Sequence, residues 1–466
     1  MNNIKPVKIA LYIFFFLFIA YSLPDHKLKN HNQNSRYDLT FAIVDKSSLT
    51  IDAYHLNTQD KSFIQGHFYT DKAIGLSIIG VPVYYIAKKY FSAIKINLTP
   101  DMAAYLIRVF TVSLSAAAGA SFFFLLIFSI SQNISVALTN TAILSLCSPY
   151  YVYATMFYGH SVSASLIIIA FWLLSASSEK YKKFKIFSAG YLLSFSVMIE
   201  YPVFMLAAPM SLFYLINKKF AWSEKFIFSF SFLPVIITQL LYNYYVNGGL
   251  FKIGYDNEHA HYFKGMMQVG IYGIYLPSLK NMIFMLFSSE RGLLFYSPVL
   301  IFVFLQFLSV IKNAITKLDG NNSYCFASLC FAFFFIIISG YFEISGGWAY
   351  SIRHLIPALP FLIFGSSINI KNKKKFLFVF LLMFYSAFLS VFALITDPQM
   401  PDHFKNPIFE YNIELLKNEA LADFALINII KIIPIYCVFI GFLLSFLYIT
   451  LYRNLQKELR QNNNLS

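Results

Sequence analysis

Charge is what this sequence has least of. Asp, Glu, Lys and Arg together make up 12% of its 466 residues, against about 25% in an average soluble domain. A soluble core of this size needs a charged shell, and too few charges are present to build one. Helices that span a bilayer remove that need, because lipid covers their outer faces. Cysteine is sparse too. Cys147, Cys325, Cys330 and Cys437 lie in or beside apolar runs without metal-ligating neighbours, and read as small buried apolar residues. Walker, GxGxxG, HExxH and GxSxG signatures are all missing. A nucleotide-sugar enzyme would need a soluble domain with a phosphate-binding loop, and none is visible. Internal repeats are not evident, and no series of acids and lysines runs through the apolar stretches, as a proton-coupled transporter would show.

What is there is apolar and aromatic. Hydrophobic residues reach 58%, with 53 Phe and 33 Tyr, and mean hydropathy is +0.61. Phe suits lipid-facing surface and Tyr suits the two interfaces. The formal net charge of +14 sits in short loops between apolar runs, the pattern of cytoplasmic anchoring, and argues against nucleic acid as a partner. Candidate spans fall at 7–23, 73–90, 101–131, 135–150, 158–177, 183–199, 202–217, 225–245, 294–312, 323–342, 353–370, 376–395 and 425–451. The first reads as an uncleaved helix with Lys5 and Lys8 inside, although its length also suits a signal peptide. The expectation is an all-α polytopic membrane protein of about 12–14 transmembrane helices, forming one integral domain over 1–466. The polar stretches 24–72, 246–293 and 396–424 form a cap on the outer side.

Basic clusters at 180–185, 218–219, 312–317, 371–375 and 453–460 all fall inside when spans are counted back from an inside C-terminus. Counted forward, Lys88 and Lys89 also fall inside, and the two counts then disagree over the 101–131 run. Some segment between 73 and 131 is miscounted. Either the 101–131 run, which contains Gly119, is a broken or re-entrant pair, or the C-terminus is outside.

The first outer loop holds Asp38, Asp45, Asp52, Asp60 and Asp71. Residues 36–47 carry a helical apolar period through Tyr37, Phe41 and Val44 and read as an amphipathic helix at the membrane interface, with Asp38 and Asp45 on its polar face. Gln65-Gly66-His67 is a turn signal flanked by aromatic residues, including Tyr69. Asp71-Lys72 stands directly before an apolar run, where a carboxylate is partly desolvated. Asp71 reads either as a general base or as an N-cap for the helix from 73, and Asp60 as a second base or a solvated charge. A second constellation is Gly346-Gly347-Trp348 followed by Arg353-His354, cations suited to a lipid phosphate or to plain interfacial anchoring. A third is Glu290-Arg291 before Gly292-Leu-Leu-Phe-Tyr-Ser-Pro298, and a fourth is Tyr158-Gly159-His160.

Three of these patches resemble one family. Arg36-Tyr37, Asp60-Lys61 and Gly66-His67-Phe68-Tyr69-Thr70-Asp71-Lys72-Ala73-Ile74-Gly75 resemble the GT-C glycosyltransferases, in particular bacterial relatives of the protein O-mannosyltransferases and of the lipid A aminoarabinose transferases. Arg291 to Pro298 and Gly346-Gly347-Trp348 with Arg353-His354 resemble elements of the same bacterial members. The pattern departs at Ile74, where many relatives carry Pro. It departs again at the start of the loop, where Arg36-Tyr37-Asp38 stands in the neighbourhood of a paired Asp-Glu.

The resemblance implies transfer of a sugar from a polyprenyl-phosphate donor, with inversion, to a lipid, glycan or protein acceptor on the outer face of a bacterial inner membrane. Its chemistry implies a carboxylate base, Asp60 or Asp71 with Asp38 or Asp45 in reserve. It also implies cations for the leaving phosphate among Lys72, Arg291, Arg353 and His354, and substrate contacts from Trp348, His67 and Tyr69. No cofactor is firmly implied; a divalent metal stays open. The rival readings are a transporter or flippase of a lipid-linked glycan, and a scaffold with a degenerate site.

Overall fold

The computed structural model describes residues 6–175, 180–317, 323–368, 370, 372–421 and 423–424, with short stretches between 436 and 456. The expected span 425–451 lies mostly outside the described residues. The other expected spans each coincide with helix: Pro6–Ser22 (α1), Gly75–Ala93, Pro100–Ser131, Ile134–Leu146, Gly159–Ser175, Lys182–Ile199, Tyr201–Ile216, Trp222–Asn247, Leu300–Lys317, Ser323–Ile338, Leu359–Ser366 and Lys373–Ile395. Among the described residues three of these are long and apolar enough to cross a membrane: Pro100–Ser131, Trp222–Asn247 and Lys373–Ile395. The rest of the apolar set is shorter, and the architecture is that of an all-α integral membrane protein.

Pro100–Ser131 is unbroken, with a π-helical turn at Val109–Ser113, so the expected break at Gly119 is not there. Gly119 instead lets this helix meet the 159–175 helix at van der Waals distance. A Cβ at Gly119 would lie 2.5 Å from the Ser165 side chain, the small-residue contact that helices use where no hydrophobic force drives them together. Ala116, Ala117 and Ala120 beside it are fully buried.

The miscounted segment is 73–90. Residues His31–Lys46 form a helix, α2, capped by the Asn30 side chain on the amides of Asn32 and Gln33. Helix α3, Gly75–Ala93, runs alongside it. Ser77 Oγ donates to the Arg36 carbonyl and Thr40 Oγ1 to the Ser77 carbonyl, while Lys88 at the far end pairs with Asp45. The helix starting at Pro100 then begins beside the C-terminal end of α1: Arg108 donates to the carbonyls of Tyr21 (2.7 Å), Ser22 and Pro24. Helix α3 therefore returns to the side it left and does not cross. With that crossing removed, the forward count puts the basic clusters at 180–185, 218–219, 312–317 and 371–375 on the side opposite α2.

The expected interfacial helix at 36–47 also moves. Ten consecutive residues of α2, Gln33 to Ala42, are buried. The helix lies inside the cap, and it is α3 that exposes apolar Tyr85, Ile86 and Tyr90. The turn signal at 65–67 is a two-residue hairpin joining strands Ser62–Ile64 and His67–Tyr69. Gln65 and Gly66 both have positive φ, as a type I′ turn requires.

Candidate active site

Two threonines shape the first loop around its acids. Thr58 Oγ1 accepts from the Asp60 amide and donates to the His31 carbonyl at the start of α2. Thr70 Oγ1 accepts from the Lys72 amide and shares a hydrogen bond of 2.7 Å with Ser35 on α2. Such side-chain turns fix the backbone locally, and here they turn both acids toward one point. Asp71 does not cap the following helix, whose N-cap is Ile74, so the capping reading is replaced.

At that point lies the ammonium of Lys72. Its Nζ is 2.9 Å from Asp60 Oδ2 and 2.5 Å from Asp71 Oδ2. Side-chain exposure is 2% for Asp71, 11% for Lys72 and 25% for Asp60. Tyr255 lies under the ammonium, 5.9 Å from ring centroid to Nζ. A third carboxyl, Glu258, comes from the 246–293 loop and is buried against Asp71, to which it is hydrogen bonded.

The electrostatics follow from burial and from who pairs with whom. Burial disfavours the ammonium of Lys72, but Asp60 and Asp71 more than compensate and hold its pKa well above the ordinary value. Burial pushes the Asp60 carboxyl up, yet Lys72 and, behind it, Arg353 bring it below the usual carboxylate range. Asp71 is raised, by burial and by the neighbouring Asp60. Glu258 is pushed up to about 10, first by burial and then by Asp71. Carboxyls sharing one buried site cannot all ionise, and of the three Glu258 is pushed furthest toward the neutral form.

Facing this cluster is Arg353, among the charges that act on Asp60. Its guanidinium lies over the Tyr158 ring at 5.3 Å, and Tyr158 in turn donates to Asn30, the cap of α2. The buried Nε of Arg353 and Nε2 of His354 have no hydrogen-bond partner among the described residues. The His354 ring sits 6.0 Å from that of His160, whose Nδ1 lies 3.8 Å from Glu200 Oε1. Glu200 also pairs with Arg36 of α2 at 2.8 Å.

Of the expected site residues, Asp60, Asp71 and Lys72 come together, with Arg353 and His354 opposite. Others are spent elsewhere. Asp45 is half of a clamp between α2 and α3: Lys88, Tyr54 and Tyr84 all bind it, and against the effect of burial these bonds hold its carboxyl low. Asp38 is fully buried on α2, accepts from Asn57 at 3.0 Å, and is pushed up to about 7 by burial. Arg291 is fully buried, but its guanidinium donates to the carbonyls of Glu290, Gly347, Met400 and Pro401. It ties outer segments together and is not free for a phosphate. His67 is exposed and pairs with Asp52 at 2.7 Å. Tyr69 is half-buried in the hairpin, and Trp348 is 54% exposed.

Sequence reading missed Glu258, Tyr158 as the seat of Arg353, and Tyr255. The only signal for Glu258 is an acid in an outer loop whose other acids are few. Among the described residues no group of three or more His, Cys, Asp or Glu is arranged as a metal site, and the Lys72 ammonium bridges the carboxyls of Asp60 and Asp71.

No family model and no curated protein matches the chain. Among solved structures, ArnT from Cupriavidus metallidurans in the apo state is similar, with TM-score 0.45 and 11% identity over 81% of this chain and 61% of that one. For ArnT bound to undecaprenyl phosphate the TM-score is 0.48 and the identity 13%, over 83% and 64%. The Archaeoglobus fulgidus oligosaccharyltransferase in the apo form gives 0.42 and 12%, over 86% and 55%. The chain thus spans less than two thirds of the length of each of these proteins. They are of the class that the three sequence patches resemble, but all three TM-scores lie below 0.5, and the likeness by itself decides neither fold nor reaction.

Proposed function

We propose that this chain is a GT-C-type glycosyltransferase that moves a sugar from a polyprenyl-phosphate donor to a hydroxyl-bearing acceptor on the outer face of a bacterial inner membrane. The observation that carries the reading is the buried Asp60–Lys72–Asp71 group with the Arg353 guanidinium facing it. An inverting transfer needs a base on one side of the anomeric carbon and positive charge on the other. Asp60 is the better base. It is ionised at neutral pH, and it is the acid of the cluster that a substrate can reach. It takes the proton of the acceptor hydroxyl as the oxygen attacks. The bond from the anomeric carbon to the phosphate oxygen breaks, and the lipid phosphate leaves with the electron pair. Arg353 balances the charge that develops there, Lys72 keeps the base ionised from its own side, and the unpartnered Nε2 of His354 is a further contact for the phosphate.

The donor's tail needs an apolar path. A narrow crevice of about 10 Å³ between the 100–131, 159–175 and 359–366 helices is lined by Phe123, Ile167, Phe171, Pro360, Phe361 and other apolar residues. It begins about two helical turns, or about 11 Å, below His160 and His354. Its lining is wholly apolar, as a lipid tail requires, and these helices must part to admit one.

The test uses membranes supplied with a polyprenyl-phosphate sugar. Asp60→Asn is expected to lower transfer by about 10²-fold or more while membrane insertion stays intact. Full transfer by both Asp60→Asn and Asp71→Asn would sink the assignment. Lipid-linked sugar accumulating on the inner leaflet of a deletion strain would favour the flippase. A profile of glycans on lipids and envelope proteins, with and without the chain, names the acceptor.

A further inference from the structure

Asp71 is the least exposed acid of the cluster, and what it touches comes from two outer loops far apart in the chain. Its own loop supplies Lys72, and α2 supplies Ser35, whose hydroxyl donates to Asp71 Oδ1 at 3.4 Å. The 246–293 loop supplies the rest. That loop is stitched onto the first by a side-chain hydrogen bond and an antiparallel bridge. Ser62 Oγ donates to the Gly254 carbonyl (2.8 Å), the His259 amide donates to the Lys61 carbonyl (2.9 Å), and Ser62 and Glu258 form an antiparallel bridge. The approach is close enough to demand glycine: a Cβ at Gly254 would lie 2.7 Å from the Asp71 backbone. Between these contacts the Glu258 side chain is buried on Asp71.

Resting on the glycosyltransferase reading, we propose that Glu258 is a positioning residue. As a neutral acid it donates its proton to Asp71 and so fixes the Asp71–Lys72–Asp60 array, which is complete only when the 246–293 loop is docked. The geometry requires one donor at this place. Asp71 already accepts from Lys72 and Ser35, and a second bare carboxylate against it would be repelled. The charged and titratable groups facing Glu258 are Asp71, Lys72 and Asp60 from the first loop, with Lys61, Tyr255 and His259 beside them. Net charge then closes: Asp60 and Asp71 negative, Lys72 and Arg353 positive, Glu258 neutral. A charged Glu258 would add a third negative charge beside Lys72, whose ammonium already serves Asp60 and Asp71.

The experiment compares Glu258→Gln, Glu258→Ala and Gly254→Ala with the wild type in membranes, from about pH 8 to about pH 11. Gln keeps a neutral donor of the same shape, so Glu258→Gln is expected to keep most of the transfer. It should also lack the alkaline decline that the wild type shows as Glu258 loses its proton near pH 10. Glu258→Ala loses about 10²-fold through misplacement of the array, and Gly254→Ala, which pushes the loop off Asp71 without altering a site side chain, falls with it. Thermal unfolding of each purified variant shows that the loss is not misfolding. The proposal is overturned if Gln is as impaired as Ala, if Gln retains the alkaline decline, or if either Ala variant keeps full transfer. A wild type inactive with every polyprenyl-phosphate sugar would sink the glycosyltransferase reading instead, and stability would then judge Glu258 alone. A raised acid stabilises the fold below its ordinary pKa of about 4.3, and that contribution is lost as pH rises toward the folded value. The melting temperature of Glu258→Gln must therefore gain on the wild type as pH rises; a constant difference refutes a protonated Glu258.

Discussion

Lys72→Met removes the cation that Asp60 and Asp71 share, and its cost can be worked from the pairing. Removing one partner of a buried ion pair costs about 3–5 kcal/mol, because the other charge is left uncompensated. Protonation sets an upper limit for each acid. Above an ordinary pKa of about 3.9, neutralising a carboxylate costs about 1.4 kcal/mol per pH unit, hence about 4 kcal/mol at pH 7. The two figures agree, so the variant is expected to lose about 4 kcal/mol at pH 7, with Asp60 or Asp71 taking up a proton. The sign follows from Asp60, whose pKa is lowered in the fold, on balance, by Lys72. Its contribution is present above the unfolded pKa and lost as pH falls through the folded one. The gap between wild type and variant should therefore be widest at neutral pH and close toward about pH 4. Thermal unfolding of both proteins in detergent across that range measures it. A gap that is absent at pH 7, or that does not change with pH, would refute a buried Asp60–Lys72–Asp71 array.

Two further outcomes concern the cap. Asp45→Asn should loosen α2 from α3 and lower stability by about 1–3 kcal/mol, since the charge-assisted bond to Lys88 and the two tyrosine bonds weaken together; unchanged unfolding would deny the clamp. Lys89→Cys, at the exposed end of α3, should react with a membrane-impermeant thiol reagent from the same side as a cysteine placed at Leu56, and from the side opposite one placed at Lys183; labelling together with Lys183 would restore α3 as a crossing.

Each described helix could be placed from its own residues. The bilayer imposes that on each segment separately, because a helix in lipid must satisfy its own backbone and present apolar side chains, whatever its neighbours do. The turn at 65–66 and the placing of Asp71-Lys72 directly before a helix were legible for the same local reason: a turn and an acid beside an apolar run are written in consecutive residues. Only the tertiary structure decided the rest. Apolar content cannot distinguish a helix that crosses from one that lies flat, and α3 was settled by its pairing with α2 through Ser77 and Lys88. Arg291 and Arg353 look alike in sequence, but the carbonyls of Gly347, Met400 and Pro401 absorb the first and leave the second facing the acids. Asp38 and Asp45 looked like one polar face, until folding buried the first and clamped the second. Glu258 had no local mark beyond being an acid in an outer loop with few others. Its proton depends on burial and on Asp71, a residue of another loop, and such a contact exists only once the two loops have met.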